Sequence, residues 1–145
     1  MIGFFEHQYL SYKKNHIKNL LALAKADGNI HEKEIALLFK IGKKYNVKER
    51  IIQQLIDSED QYSVIVPDNH HDKMNLLYDL LLMVYADEVV SEHEVKFCED
   101  AVEHFGMKKE IIGWLVEKFE NGTPPPPDEW EELKKIAAEE FVVNP

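Results

Sequence analysis

Two short acidic stretches hold most of the residues that could do chemistry in this chain. They read "ADGNIHEKE" at residues 26–34 and "ADEVVSEHE" at residues 86–94. In each stretch an aspartate and a glutamate stand seven positions apart. The two pairs are Asp27 with Glu34 and Asp87 with Glu94. A tight turn would bring such carboxylates together, and oxygen ligands favour Ca²⁺, Mg²⁺ or Mn²⁺ over zinc or copper. These four carboxylates are therefore the candidate metal ligands.

The same glutamates also have a purely structural explanation. If His31 and Ser91 are N-caps, Glu34 and Glu94 occupy the third position of a helix, where a carboxylate faces the positive end of the helix dipole. Ser91 and Glu94 then form a capping box. The two aspartates lie near helix C-termini, where they can accept hydrogen bonds from free N–H groups of the next helix. Metal binding and helix capping both stay open.

Other metal and catalytic motifs are missing from the sequence. The first acidic stretch copies the second half of an EF-hand loop. The first and third loop positions fall on Leu23 and Lys25, which cannot bind calcium, so an EF-hand is excluded. The chain has no HExxH motif, no glycine-rich phosphate loop and no Cys-x-x-Cys pair. We therefore expect no enzymatic activity.

Cysteine and histidine add few further candidates. Cys98 lies on an apolar helical stripe, which predicts a buried thiol rather than a nucleophile. His16 and His104 are expected on the surface. His70 and His71 are predicted to form the turn and cap before the fourth helix, although they could also bind a metal.

A repeat supplies the elements that position the acidic stretches. Residues 17–56 align without a gap on residues 77–116, and ten of these forty positions are identical. Identities at apolar positions can reflect shared helical patterning, but those at Asp27, Glu32 and Glu34 are polar. The alignment therefore predicts a duplicated structural unit.

Each repeat reads as three amphipathic helices, because its apolar residues recur at spacings of three and four. An apolar stripe after residue 128 predicts a seventh helix. The segment "YSVIVP" at residues 62–67 is short and ends in proline, so it is assigned to the connection between repeats. The predicted fold is all-α, a compact bundle of about seven helices made of two pseudo-repeated three-helix units plus a C-terminal helix.

The repeat and a proline run set the expected domain limits. Residues 1–120 form a helical domain, and residues 121–127, "NGTPPPP", form an extended linker. Residues 128–145 form a helix that folds back on the domain or docks on another chain. Asp128 followed by Glu131 predicts a capping box at its start.

Charge is unevenly distributed along the chain. The net charge of −10 disfavours nucleic acid as a partner. Residues 1–60 carry ten Lys and Arg against eight Asp and Glu, whereas residues 61–145 carry seven against nineteen. The charges are either solvated helix faces or a bipolar surface that orients an acidic or basic protein partner.

The expected cellular location of the protein follows from three further features. No apolar run is long enough to cross a bilayer. The N-terminus shows no secretion signal. The single cysteine, Cys98, fits a reducing compartment. We therefore expect a cytoplasmic protein without an integral membrane segment.

The pattern Ala-Asp-x-x-Ile/Val-x-Glu-x-Glu, present in both acidic stretches, resembles the TerB-like family. That family is named for a tellurite-resistance protein and includes the N-terminal region of a membrane-anchored DnaJ-like co-chaperone. The resemblance covers about residues 12–120. The chain has no His-Pro-Asp tripeptide and no anchoring helix, which argues against the co-chaperone version.

The resemblance implies an all-α fold of two repeated halves, with a metal-binding or scaffolding role in stress responses and no established catalytic activity. It also implies that the four motif carboxylates are the suspected metal ligands. Two hypotheses follow. The chain is a non-enzymatic module that binds a divalent cation at its two junctions, or a metal-free protein-interaction module that uses its charged surfaces or its C-terminal helix.

Overall fold

The computed structural model describes residues 4–26, 30–59, 62–86, 91–119 and 123–143, with side chains from residue 13 onward. Within these residues the fold is all-α, as predicted, with seven helices and no strand. The helices are α1 Phe4–Ala24, α2 Glu32–Lys44, α3 Glu49–Asp57, α4 His70–Tyr85, α5 Glu92–His104, α6 Glu110–Lys118 and α7 Pro127–Glu140. The chain divides into two compact units, residues 1–65 and residues 66–145.

Unit 1 is built on α1, which packs against both α2 and α3. The run "LLALA" at residues 20–24 is buried on every side, so this part of α1 lies inside the unit rather than on its surface. Leu38 of α2 and Ile52 of α3 are also fully buried. The helix begins at Phe4, well before residue 17, where the aligned range of the first repeat starts.

Gly42 sets the distance between α2 and α3. A Cβ added to this residue would collide with Ile52 Cδ1 and would lie 3.2 Å from Ile52 Cγ1. Because Gly42 is buried and carries no side chain, the α3 side chain can approach the α2 backbone directly. Glycine disfavours the helical conformation relative to alanine, but at this position it permits close packing of α2 and α3.

Unit 2 places α4 at its centre, in contact with both α5 and α7. Trp130 of α7 is buried, and its ring lies 4.9 Å from the Tyr78 ring and 6.4 Å from the Phe119 ring, centroid to centroid. Its indole N–H donates to Asn75 Oδ1 at 3.2 Å. These contacts hold the C-terminal helix on unit 2.

Helices α2 and α5 begin and end sixty positions apart and finish in the same kind of turn. The residue two positions beyond each helix has positive φ, 59° at Asn46 and 79° at Gly106. The next residue closes the turn with a long-range main-chain bond, from Val47 N–H to Gly42 O at 2.8 Å and from Met107 N–H to Val102 O at 2.9 Å. Both ends are Schellman motifs, in which a left-handed residue satisfies the last carbonyl groups.

The start of α7 differs from the prediction. The helix begins at Pro127, with Pro126 as an N-cap that makes no side-chain hydrogen bond, so the capping box predicted at Asp128 and Glu131 is wrong. Proline is already set to the helical φ angle and needs no N–H partner, so it occupies the first turn. Glu131 instead lies 2.7 Å from Lys134 Nζ.

Candidate functional sites at the helix junctions and charged faces

At the first acidic junction, Glu34 caps the N-terminus of α2. His31 is the N-cap residue, and its Nδ1 accepts a hydrogen bond from the Lys33 N–H at 3.2 Å. Glu34 Oε1 accepts the His31 N–H at 3.0 Å, and the residue is only 7% exposed. The predicted N-cap is therefore confirmed. One oxygen of this candidate metal ligand is already engaged by the backbone.

At the second acidic junction, Ser91 caps α5. Its Oγ accepts the Glu94 N–H at 3.1 Å, which confirms the predicted N-cap. Glu94 Oε1 accepts the Ser91 hydroxyl at 3.0 Å, where the predicted capping box would use the Ser91 main-chain N–H. Glu94 is half-buried, in contrast to the buried Glu34. The two glutamates therefore have the same position in their helices, and Glu34 accepts a main-chain N–H where Glu94 accepts a hydroxyl.

The remaining two candidate ligands, Asp27 and Asp87, lie outside the described residues. The predicted site of Asp27, Glu34, Asp87 and Glu94 thus stays a prediction. Within the described ranges, no group of three or more His, Cys, Asp or Glu side chains is placed to hold a metal ion.

Lys25, which precedes the first acidic stretch, binds the end of α3. Its Nζ donates to Ser58 O at 2.7 Å and to Leu55 O at 3.2 Å, and lies 4.9 Å from the centre of the Tyr62 ring. A cation at a helix C-terminus satisfies carbonyl groups that lack helical partners and complements the dipole. The lysine thus joins the end of α1 to the end of α3.

Three exposed positions on α2–α3 are basic where the positions sixty residues later on α5–α6 are acidic, whereas Lys48 and Lys108 share a sign and Glu49 and Lys109 reverse the pattern. We define the basic face as Lys40, Lys43 and Arg50, and the acidic face as Asp100, Glu103 and Glu110. All six residues are exposed, and each basic residue stands sixty positions before an acidic one. The basic face lies on unit 1 and the acidic face on unit 2. The alignment of residues 17–56 on residues 77–116 already pairs these positions, and the structure adds that all six residues are exposed.

The structure shows whether the cysteine and two of the histidines are buried or exposed. Cys98 is 1% exposed, as predicted, and burial together with nearby Glu94 and Glu99 raises the pKa of its thiol to about 12. A thiol of this kind is a poor nucleophile at neutral pH. His104 is exposed, as predicted, whereas the surface prediction for His16 is wrong. His16 is 4% exposed, because the ring of Tyr45 from α2 lies 4.6 Å away.

His70 and His71 form a polar contact between α4 and α7. They are the first two residues of α4 rather than the turn before it, because Asn69 takes the N-cap position and accepts a main-chain N–H at 2.8 Å. His70 Nε2 lies 2.9 Å from Lys134 O, and His71 Nδ1 lies 3.0 Å from Lys134 Nζ. Lys134 is buried, so these histidines help to seat the C-terminal helix.

Two buried polar residues were missed by the sequence reasoning. Asn19 of α1 and Asp79 of α4 stand sixty positions apart in the sequence and are both buried. The Asn19 side chain donates to Ile65 O at 2.9 Å and accepts the Ile65 N–H at 2.7 Å, as a neighbouring strand would. Their signal in the sequence is a polar residue at the same place within two apolar helix faces.

Among the described residues, no helix combines the length and the apolar character that a bilayer crossing demands. Comparison of the chain with protein-family models, curated proteins and solved structures gives no match. The resemblance to the TerB-like family stays a prediction that rests on the two acidic motifs.

Proposed function

We propose that this chain is a non-enzymatic helical module that binds a protein partner through its charged faces. The observation that carries the proposal is the charge opposition between the basic and acidic faces, at corresponding exposed positions of corresponding helices. The scaffolding role implied by the TerB-like resemblance agrees with it.

Local helix electrostatics do not explain all of these charges. Glu103 lies in the last turn of α5 and Arg50 in the first turn of α3. A carboxylate at a helix C-terminus and a cation at a helix N-terminus both oppose the helix dipole. Lys43 and Glu110, by contrast, are favourably placed in their helices. Since two of the charges cost helix stability, a role at the surface is the better explanation for them.

The proposal is tested by photo-crosslinking in the native cells. A crosslinking amino acid is introduced at Lys43, at Glu103, or at the exposed control position Ala138 on α7. We expect one stoichiometric protein adduct from the face positions and none from the control. Reversal of the neighbouring charges should abolish the adduct. Absence of any adduct at both faces would overturn the proposal.

A divalent cation at the acidic junctions is the second candidate function. It is favoured by the equivalent placement of Glu34 and Glu94 at the third residue of α2 and α5, each directly after an aspartate-containing stretch. A carboxylate that is buried and already hydrogen-bonded is preorganised for an ion. Ca²⁺, Mg²⁺ and Mn²⁺ are the ions that the oxygen-rich ligand set would select.

Calorimetric titration with these three ions separates the two candidates. The cation hypothesis predicts saturable binding that is lost when Asp27 and Asp87 are both replaced by alanine. Replacement of the exposed Asp68 and Asp100 is the matched control, since it removes the same charge elsewhere. Equal binding by both double variants would refute a site at the junctions.

A further inference from the structure

The basic and acidic faces share one local arrangement, on α2 and α5. Within each face two charges stand three residues apart on one helix, Lys40 with Lys43 and Asp100 with Glu103, and therefore project from the same side. Each helix then ends in a Schellman motif of the same kind, and the third charge follows in the first turn of the next helix. The charges on α2 and α5 are thus presented alike, whereas the turn after α5 is also bonded to the segment after α7, through Lys108 N–H to Phe141 O and Val143 N–H to Gly106 O, both at 2.8 Å.

The net charges of the units favour contact between unlike units of separate molecules. Residues 1–65 carry ten basic and eight acidic side chains, a net charge of +2, and residues 66–145 carry seven and nineteen, a net charge of −12. Contact between two copies of unit 2 would bring together like charges and is disfavoured. Within the described residues, the basic face of unit 1 is a surface that complements the acidic face in charge.

Intramolecular ion pairing leaves the acidic face largely available. Asp100 pairs with Lys96 at 3.6 Å, but the two side chains are 58% and 74% exposed. Pairs of this kind are weak and readily exchange for others. A second molecule can therefore compete for the carboxylate.

We propose that the basic face of one copy of this chain binds the acidic face of a second copy. The inference rests on the proposed function and names its partner. Because the two contacting faces are different, the interface is heterologous, and the assembly closes into a ring or continues as a chain according to its rotation angle. The attraction is electrostatic and between exposed groups, so it weakens as salt is added.

Sedimentation velocity of the purified chain tests the proposal. At about 50 mM salt we expect reversible association that increases with protein concentration, and at about 500 mM salt we expect it to weaken at least tenfold. A chain that stays monomeric at low salt up to about 500 µM, a concentration at which weak associations are populated, overturns the proposal.

Two charge-reversed variants locate the contact. The first replaces the basic face by Lys40→Glu, Lys43→Glu and Arg50→Glu, and the second replaces the acidic face by Asp100→Lys, Glu103→Lys and Glu110→Lys. Each variant alone should lose association at least tenfold, because its two faces then carry the same sign. An equimolar mixture should associate again, which also shows that both variants are folded. A mixture that stays monomeric contradicts the pairing.

A third variant controls for net charge. Lys14→Glu, Lys118→Glu and Lys135→Glu change the net charge as much as reversal of the basic face does, at exposed positions outside it. We expect this variant to associate more strongly than the basic-face variant. An equal loss would mean that overall charge, and not the faces, governs association, which overturns the proposal.

The crosslinking experiment separates this inference from the proposed function. An adduct of the chain with itself supports both. An adduct with a different protein, formed by a chain that sediments as a monomer, supports the proposed function and overturns self-association. With no adduct and no association, both fail.

Discussion

Gly42 offers the most direct test of how α2 packs on α3. Replacement of a helical glycine by alanine gains about 1 kcal/mol from helix propensity. At this position the new Cβ would collide with Ile52 Cδ1 and stand 3.2 Å from Cγ1, and Ile52 is fully buried. Overpacking of a core costs about 1–3 kcal/mol. We therefore expect Gly42→Ala to lower the free energy of unfolding by about 1 kcal/mol, the collision exceeding the gain in propensity.

Gly113→Ala is the matched control, because Gly113 is also helical but has no atom within 4 Å of an added Cβ. It should raise the free energy of unfolding by up to about 1 kcal/mol. Both changes are measured by urea denaturation followed by circular dichroism at a helical wavelength. Tryptophan fluorescence alone would not suffice, since Trp114 and Trp130 both lie in unit 2 and Gly42 lies in unit 1.

A double-mutant cycle identifies the colliding atom. Ile52→Val removes Cδ1 and costs about 0.5–1.5 kcal/mol in the wild-type protein. In the Gly42→Ala background the same change also relieves the collision, so its cost should fall to zero or become a gain. If Gly42→Ala stabilises the protein as much as Gly113→Ala does, the proposed close approach of α2 and α3 is refuted.

Three further predictions concern unit 2. Cys98 should resist iodoacetamide at about pH 8 in the folded protein and react in concentrated urea, as read by mass spectrometry. Fast labelling of the native protein would contradict its burial. Because the pKa of the Cys98 thiol is raised to about 12 from 9.0, its contribution to stability is full below pH 9 and is lost as the pH rises toward 12. Trp130→Ala should cost about 3–5 kcal/mol in urea denaturation and Trp130→Phe much less, since the ring contacts remain; equal losses would mean that the indole N–H dominates. Ser91→Ala should cost about 1 kcal/mol by removing the N-cap of α5, whereas Ala at the exposed Ser63 should cost little; equal effects would argue against the cap.

Helix number and type were predictable from the sequence, because the spacing of apolar residues directly reports the buried side of a helix. The N-caps at His31 and Ser91 were also predictable, because each is recognised by a glutamate three positions later. The burial of His16 was not, since it depends on Tyr45 arriving from a different helix. The start of α7 was mispredicted because Asp128 had the residue type of an N-cap while the preceding proline had the required backbone geometry.

The candidate site was predictable only in part, for similar reasons. Placement of Glu34 and Glu94 at the third helical residue followed from sequence spacing. The hydrogen-bond donor to each carboxylate could not be predicted from that spacing, since it depends on the orientation of main-chain and side-chain groups. The charge pairs of the basic and acidic faces could be read from the aligned ranges, but the exposure of these residues could not, since it depends on how the helices pack.

The turns after α2 and α5 have a consequence for how such a module can change over evolutionary time. At both places a left-handed residue, Asn46 or Gly106, and main-chain hydrogen bonds form the turn. At the second turn Lys73 Nζ also donates to Phe105 O at 2.9 Å. The main-chain bonds do not depend on which exposed side chains stand at Lys43 and Glu103. The surface charges at these helix ends can therefore change, even in sign, without a change in the turns that follow them. A gene duplication that keeps these turns yields two copies whose surface charges are free to diverge.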